Sequence, residues 1–143
     1  MDYLKVLVEE IHSVVVATVD ETGHPHTAVM DMMWEDGKTV YFLTADFKPL
    51  YKRLKEDGRV AVTGMTQGAG TMDRKSISLT GQVEWIGKEH LEELLKANPY
   101  MYEIYPTEEG RSHLQVFRFK KALGDFYDLT QLPPYQARFE IEG

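Results

Sequence analysis

The chain has 143 residues, no cysteine, and 23 acidic against 16 basic side chains, for a formal charge of −7. That balance argues against nucleic acid and anionic membrane surfaces as partners, which would call for a broad basic face. The lack of cysteine excludes disulfides, thiolate nucleophiles and cysteine-ligated metals. The length suits one domain over 1–143 with a core of its own, but with little concave surface to cover a cofactor within one subunit. The amino terminus lacks a charged-then-apolar export signal, so the expected location is the cytoplasm.

Leu4, Leu7, Val8 and Ile11 recur at helical spacing behind Asp2, a residue suited to capping, and predict an amphipathic helix over 1–12. From Ser13 to Val19 the chain turns β-branched and apolar, Asp20 to Gly23 reads as a turn, and His26 to Trp34 reads as the returning strand of a hairpin. A second turn at Glu35 to Lys38 leads into a strand from Thr39 to Thr44. Pro49 then marks a helix start, because proline is favoured at the first helical position. Acidic side chains usually occupy such a start, yet this one carries Lys48 and, one turn on, Lys52.

At 100° per residue Lys48, Lys52 and Lys55 share one face of that helix, and Leu50 and Leu54 lie opposite. Free amide protons, the positive end of the helix dipole and convergent lysines suit a phosphate. A solvated lysine face on an ordinary amphipathic helix has the same pattern.

Arg59 to Met65 is another strand and Gln67 to Asp73 a glycine-bearing loop. Ser76, Ser78 and Thr80 alternate with Ile77 and Leu79, giving a strand whose polar face could line a site. Lys88 to Ala97 reads as a third helix, stopped by Asn98-Pro99. Tyr100, Tyr102 and Tyr105 follow in an aromatic connection with no role assigned. His113 to Phe119 and Ala122 to Leu129 read as a final pair of strands, and Leu132-Pro133-Pro134 leaves 131–143 as a tail. Six or seven antiparallel strands with three peripheral helices describe a mainly β fold, a closed or nearly closed barrel.

Several isolated signals carry less. His24-Pro25-His26 could begin a metal site, but no third ligand stands at a characteristic spacing, so no metal is assigned. Gly68-Ala-Gly70 lacks the third glycine and following helix of a dinucleotide-binding loop. Ser112-His113 has no nucleophile elbow around it. Met30, Met32 and Met33 read as core packing.

The ordered set Ala17-Thr-Val-Asp-Glu-Thr-Gly-His-Pro-His26, Trp34-Glu-Asp-Gly37, Val40-Tyr-Phe-Leu-Thr44, Lys48-Pro-Leu-Tyr-Lys52-Arg-Leu54 and Gly58-Arg-Val-Ala-Val62 resembles the pyridoxamine 5′-phosphate oxidase-like family of FMN-binding split barrels. The resemblance runs from about Ser13 to Thr130 and implies a six- or seven-stranded antiparallel split barrel. It also implies FMN at the interface of a homodimer. The phosphate would rest on the segment of Thr44, Ala45, Lys48, Pro49 and Lys52, the anion site already suggested by the helix start. The backbone of Val29, Met30 and Asp31 would hold the edge of the isoalloxazine ring, with Ser76 beside it.

The implied function is an FMN-dependent oxidoreductase working between a reduced nicotinamide and a small acceptor, with no side-chain acid or base assigned. A flavin store, sensor or electron carrier, and a pocket switched to haem or a deazaflavin, are the alternatives. Three departures from the family pattern stand out. Ala28 occupies a position where many relatives carry arginine, and Ser76 one where the oxidase has glutamine. The arginine and histidine set that holds substrate phosphate in true pyridoxamine phosphate oxidases is missing near the carboxyl end, which argues against that specific activity.

Overall fold

The β-branched run Ser13–Val19 forms β1 and pairs along its whole length with β2, Pro25–Asp31, from Ser13 opposite Asp31 to Val19 opposite Pro25. Gly23, at a φ of +87° open to glycine, lets the chain reverse between them. The computed structural model describes residues 1–143. Beyond the hairpin it contains β3 (Trp34–Glu35), β4 (Val40–Ala45), α2 (Pro49–Glu56), β5 (Arg59–Met65), β6 (Lys75–Gly87), β7 (Leu114–Asp128) and β8 (Tyr135–Glu142). The sheet runs β2-β1-β5-β6-β7-β4-β3, all neighbours antiparallel, with β8 added beside β7.

The curl of this sheet brings its ends together. Cα atoms of β2 and β4 lie within 8 Å of each other, and the chain passes from β2 to β3 through only Met32 and Met33. At that step it changes partners: the Met32 N–H donates to the His12 carbonyl at 2.7 Å, whereas the Met33 N–H donates to the Tyr41 carbonyl at 2.9 Å. The span expected as one strand over 26–34 is thus two strands in different ladders, and the barrel is split between them. Both methionines are buried, as core packing requires.

Alternation along the strands separates two faces. Val14, Val16, Val60, Val62, Ile77 and Leu79 point into the main core, and Val15, Ala61, Thr63, Ser78 and Thr80 lie on the outer side. A second cluster, including Tyr41, Leu43, Leu94, Leu95 and Met101, packs α3 (Leu91–Ala97) and α4 (Met101–Ile104) against the other flank of β4. A last short helix, α5 (Glu108–Arg111), precedes β7.

Three local features depart from the pattern reading. The first helix starts behind the Asp2 cap as α1 (Tyr3–Lys5) but continues as a π-turn over Val6–Ile11, with the His12 N–H reaching the Leu7 carbonyl. The wider turn rotates Val6 into the core beside Leu7 and Ile11 and leaves Leu4 and Val8 half-buried. The expected pair of strands over 113–129 is one 15-residue strand. Gln82 pairs with Lys121 while Val83 pairs with Phe119, so Lys120 is an extra residue in a β-bulge, which in the sequence looks like a break. Finally, the segment expected as a tail forms β8, since Pro133 and Pro134 precede its ladder and interrupt none of it.

Candidate functional site

Helix α2 begins without a cap of its own. Lys48 occupies the N-cap position in extended conformation, its side chain makes no capping bond, Pro49 stands in the first turn, and no acidic residue follows there. Leu50 and Leu54 are buried and hold the helix against the barrel, so its start is fixed beside the end of β4. Thr44 is buried opposite Gln115 of β7, and Ala45 opposite Leu114. The carboxylate in the connection, Asp46, is paired with His113, whose Nδ1 lies 2.8 Å from Asp46 Oδ1.

The lysines do not all converge. Lys48 and Lys52 are exposed, with Lys52 4.0 Å from Glu56 across one helical turn. Lys55 instead lies 4.3 Å above the Trp85 ring and 5.3 Å above that of Tyr51. Shared helical azimuth gave no hint of this, because the aromatic partner comes from β6.

On the other side of the split, β2 is an edge strand, bonded only to β1. Its alternate backbone N–H and C=O groups on the outer side have no ladder partner. Met30 points into the core, so it offers this edge backbone only, whereas the Val29 side chain is 74% exposed. Asp31 is committed as well: its carboxylate accepts from Ser13 Oγ at 2.7 Å and from the Tyr100 hydroxyl at 2.8 Å. His12 completes this cluster, with Nε2 2.7 Å from the Tyr100 oxygen and Nδ1 3.1 Å from the Val8 carbonyl.

Burial first, and then the hydrogen bond to Asp31, hold the Tyr100 hydroxyl above its ordinary range, so it stays protonated and donating. Tyr100 therefore fastens the end of β2 to the α3–α4 connection. No residue pattern signalled that role, since the partners are 69 and 88 positions away.

A cavity of about 590 Å³ opens on the outer face of β1, β5 and β6 and takes in Val29 and Ser76. None of Thr44, Ala45, Lys48, Pro49 or Lys52 is on its wall. The nine residues singled out from sequence thus fall into two groups, one at the β4–α2 junction and one on the β2 edge with the adjoining cavity. Elsewhere, His26 Nε2 lies 2.8 Å from Asp20 Oδ2, and Asp20 also accepts from Thr22 and from the His24 N–H, so these residues bind one another across the hairpin turn.

An antiparallel split barrel with an uncapped helix start after β4 and a free strand edge at β2 defines the class of this protein. A family model described as pyridoxamine 5′-phosphate oxidase matches residues 2–126, and the chain belongs to that family. Among solved structures, it is similar to a NimC/NimA family protein from Clostridium acetobutylicum at 21% identity and a TM-score of 0.76, covering 98% of this chain and 95% of that one. A haem-binding protein from Mycobacterium smegmatis aligns at 13% identity and a TM-score of 0.71, over 95% of this chain and 56% of the other.

A pyridoxamine 5′-phosphate oxidase-related, FMN-binding protein from Nostoc punctiforme aligns at 11% identity and a TM-score of 0.60, over 92% and 87%. At these identities the similarity establishes the fold. No sequence among the curated proteins matches the chain. No helix is long and apolar enough to cross a membrane.

Proposed function

We propose that the protein binds FMN at the interface of a homodimer and works as an oxidoreductase between a reduced nicotinamide and a small-molecule acceptor. The observation that carries this reading is the start of α2, where Lys48 and Pro49 leave the helix end without a side-chain cap or an acidic residue in its first turn. A phosphate there would meet the Leu50 N–H and the positive end of the helix dipole, since the Lys48 and Tyr51 N–H groups already donate to the Ala45 and Lys48 carbonyls and Pro49 has no N–H, with Lys48 and Lys52 to neutralise it and the Thr44 hydroxyl within the same junction. The unpaired edge of β2 at Val29, Met30 and Asp31 suits the hydrogen-bonding edge of the isoalloxazine ring, and Ser76 would lie beside it. When bound, FMN supplies hydride and electron acceptance; the chain binds it, orients it and shields it from water.

The dimer reading rests on the outer sheet face. Val29, Val15, Thr63 and Ser78 are neighbours across four strands, and Thr27, Ala17, Ala61 and Thr80 form the next row. Eight uncharged side chains side by side are unusual on the surface of a chain that is 27% charged. A second copy would cover them and close the site.

Titration of purified protein with FMN, followed by flavin fluorescence and the visible spectrum, tests the reading. The double substitution Lys48→Ala and Lys52→Ala is expected to weaken FMN binding by at least about 2 kcal/mol without unfolding the protein. Unchanged affinity would remove both lysines from the site. Steady oxidation of NAD(P)H by the FMN-loaded protein with a supplied acceptor supports the enzyme, and bound flavin that reduces only photochemically would make it a carrier. Preferential binding of haem would replace the flavin reading altogether.

A further inference from the structure

The cavity beside β2 contains a cation that the chain itself does not satisfy. Arg74, just ahead of β6, is the one charged residue on a wall otherwise made of apolar, hydroxyl, amide and glycine groups. Its Nη2 donates to the Gly68 carbonyl at 3.3 Å, and its buried Nε has no hydrogen-bond partner. Asp73, its neighbour in sequence, is not on the cavity wall, and Asp31 is taken by Ser13 and Tyr100. Arg74 is half-buried, and a guanidinium left there with one weak bond has donors to spare for a ligand.

We infer that this cavity binds a small organic carboxylate and that Arg74 is its anchor. The guanidinium fork matches two carboxylate oxygens in one plane. A single arginine balances the one charge of a carboxylate, whereas a phosphate monoester carries nearly two charges and three acceptor oxygens, and no second cation stands on the wall. Val14, Val15, Val29 and Met65 offer apolar contact for the body of the ligand, and Ser13, Thr63 and Ser76 offer hydrogen bonds to its substituents. About 590 Å³ falls in the range of small-molecule sites. Val29 and Ser76 are also residues placed against the flavin ring, so the carboxylate would lie next to the redox centre as substrate. That last role rests on the flavin reading; the anion site does not.

The test uses full-length protein with methyl-labelled methionine, the Met65 methyl serving as reporter, and benzoate, benzyl alcohol and phenyl phosphate as probes. Benzoate is expected to shift the Met65 signal saturably, with benzyl alcohol at least about tenfold weaker, because it lacks the charge. Arg74→Gln should weaken benzoate by about tenfold or more, while Arg74→Lys retains part of the binding through its charge. The inference is overturned if benzoate leaves Met65 unmoved, if Arg74→Gln binds it as well as the parent, or if phenyl phosphate binds clearly tighter than benzoate. Running the titrations with and without FMN separates the two readings. Benzoate binding in a protein that takes no FMN would leave the anion site standing and the flavin reading refuted.

Discussion

Phe139 lies over Gly124 on the neighbouring strand, so that a β-carbon at position 124 would come within 2.3 Å of its ring. Tyr3 stacks on Phe139 at 4.7 Å between ring centroids and 16° between planes, which fastens α1 to β8 through the ring. Gly124→Ala is therefore expected to destabilise the protein by about 1–3 kcal/mol by overpacking. Denaturant unfolding of Gly124→Ala, Phe139→Leu and the double variant measures it; the double variant should lose less than the sum of the singles.

Removing the Tyr100 hydroxyl would leave Asp31 with Ser13 and the more distant His12 Nε2 at 3.5 Å, and would take from His12 Nε2 its 2.7 Å partner. Tyr100→Phe is expected to cost about 1–2 kcal/mol of stability. Its effect on pH dependence has a definite sign. The folded-state pKa of Tyr100 is raised by burial and by Asp31, so the parent loses stability as pH rises above the ordinary tyrosine value of about 10, where the unfolded chain ionises first. Tyr100→Phe should show a shallower decline over that alkaline range in equilibrium unfolding.

Asp57 ends α2 and Arg59 begins β5, and the Arg59 guanidinium grips the Asp57 carboxylate through Nε at 3.0 Å and Nη2 at 2.7 Å. The side-chain bond to Arg59, followed by the Arg59 backbone N–H, holds the Asp57 pKa at about 2. A depressed carboxyl stabilises the fold above its ordinary value, and that contribution fades as pH falls toward about 2. In Arg59→Gln the Asp57 carboxyl carbon, followed by NMR, should titrate higher than in the parent, part of the way toward the ordinary value of about 3.9, because the backbone N–H of residue 59 still donates to it. A titration unmoved by the substitution would assign the shift to something other than Arg59.

A charge in the uncharged sheet face should block pairing of two copies. Val15 is 41% exposed at the centre of that face and packs across to Val29 and Thr63. Val15→Glu is expected to give a monomer by light scattering and to weaken FMN binding with the dimer. If the parent protein is itself monomeric with FMN bound, the dimer proposal fails.

Legibility in the sequence followed the range of each interaction. The hairpin from Ser13, the strand Arg59–Met65 and the helix start at Pro49 were all readable, because β-branched alternation, a turn and a proline act on their own neighbours. The split at Met32–Met33 was not, since its signal is a pair of amides bonding in opposite directions to His12 and Tyr41. Lys120-Lys121 fell between the two strands read from the sequence because a bulge breaks alternation in the same way that a loop does.

The sequence by itself determined the antiparallel, mainly β character of this protein, its family pattern and the lysine-bearing helix start, each of which depends on residue type and local period. Only the tertiary structure decided that Lys55 turns to Trp85, that Tyr100 secures the end of β2, and that Arg74 stands without a full set of partners in a cavity of its own. Those outcomes depend on which side chains the curled sheet brings within hydrogen-bonding or van der Waals reach, and that proximity has no period along the chain.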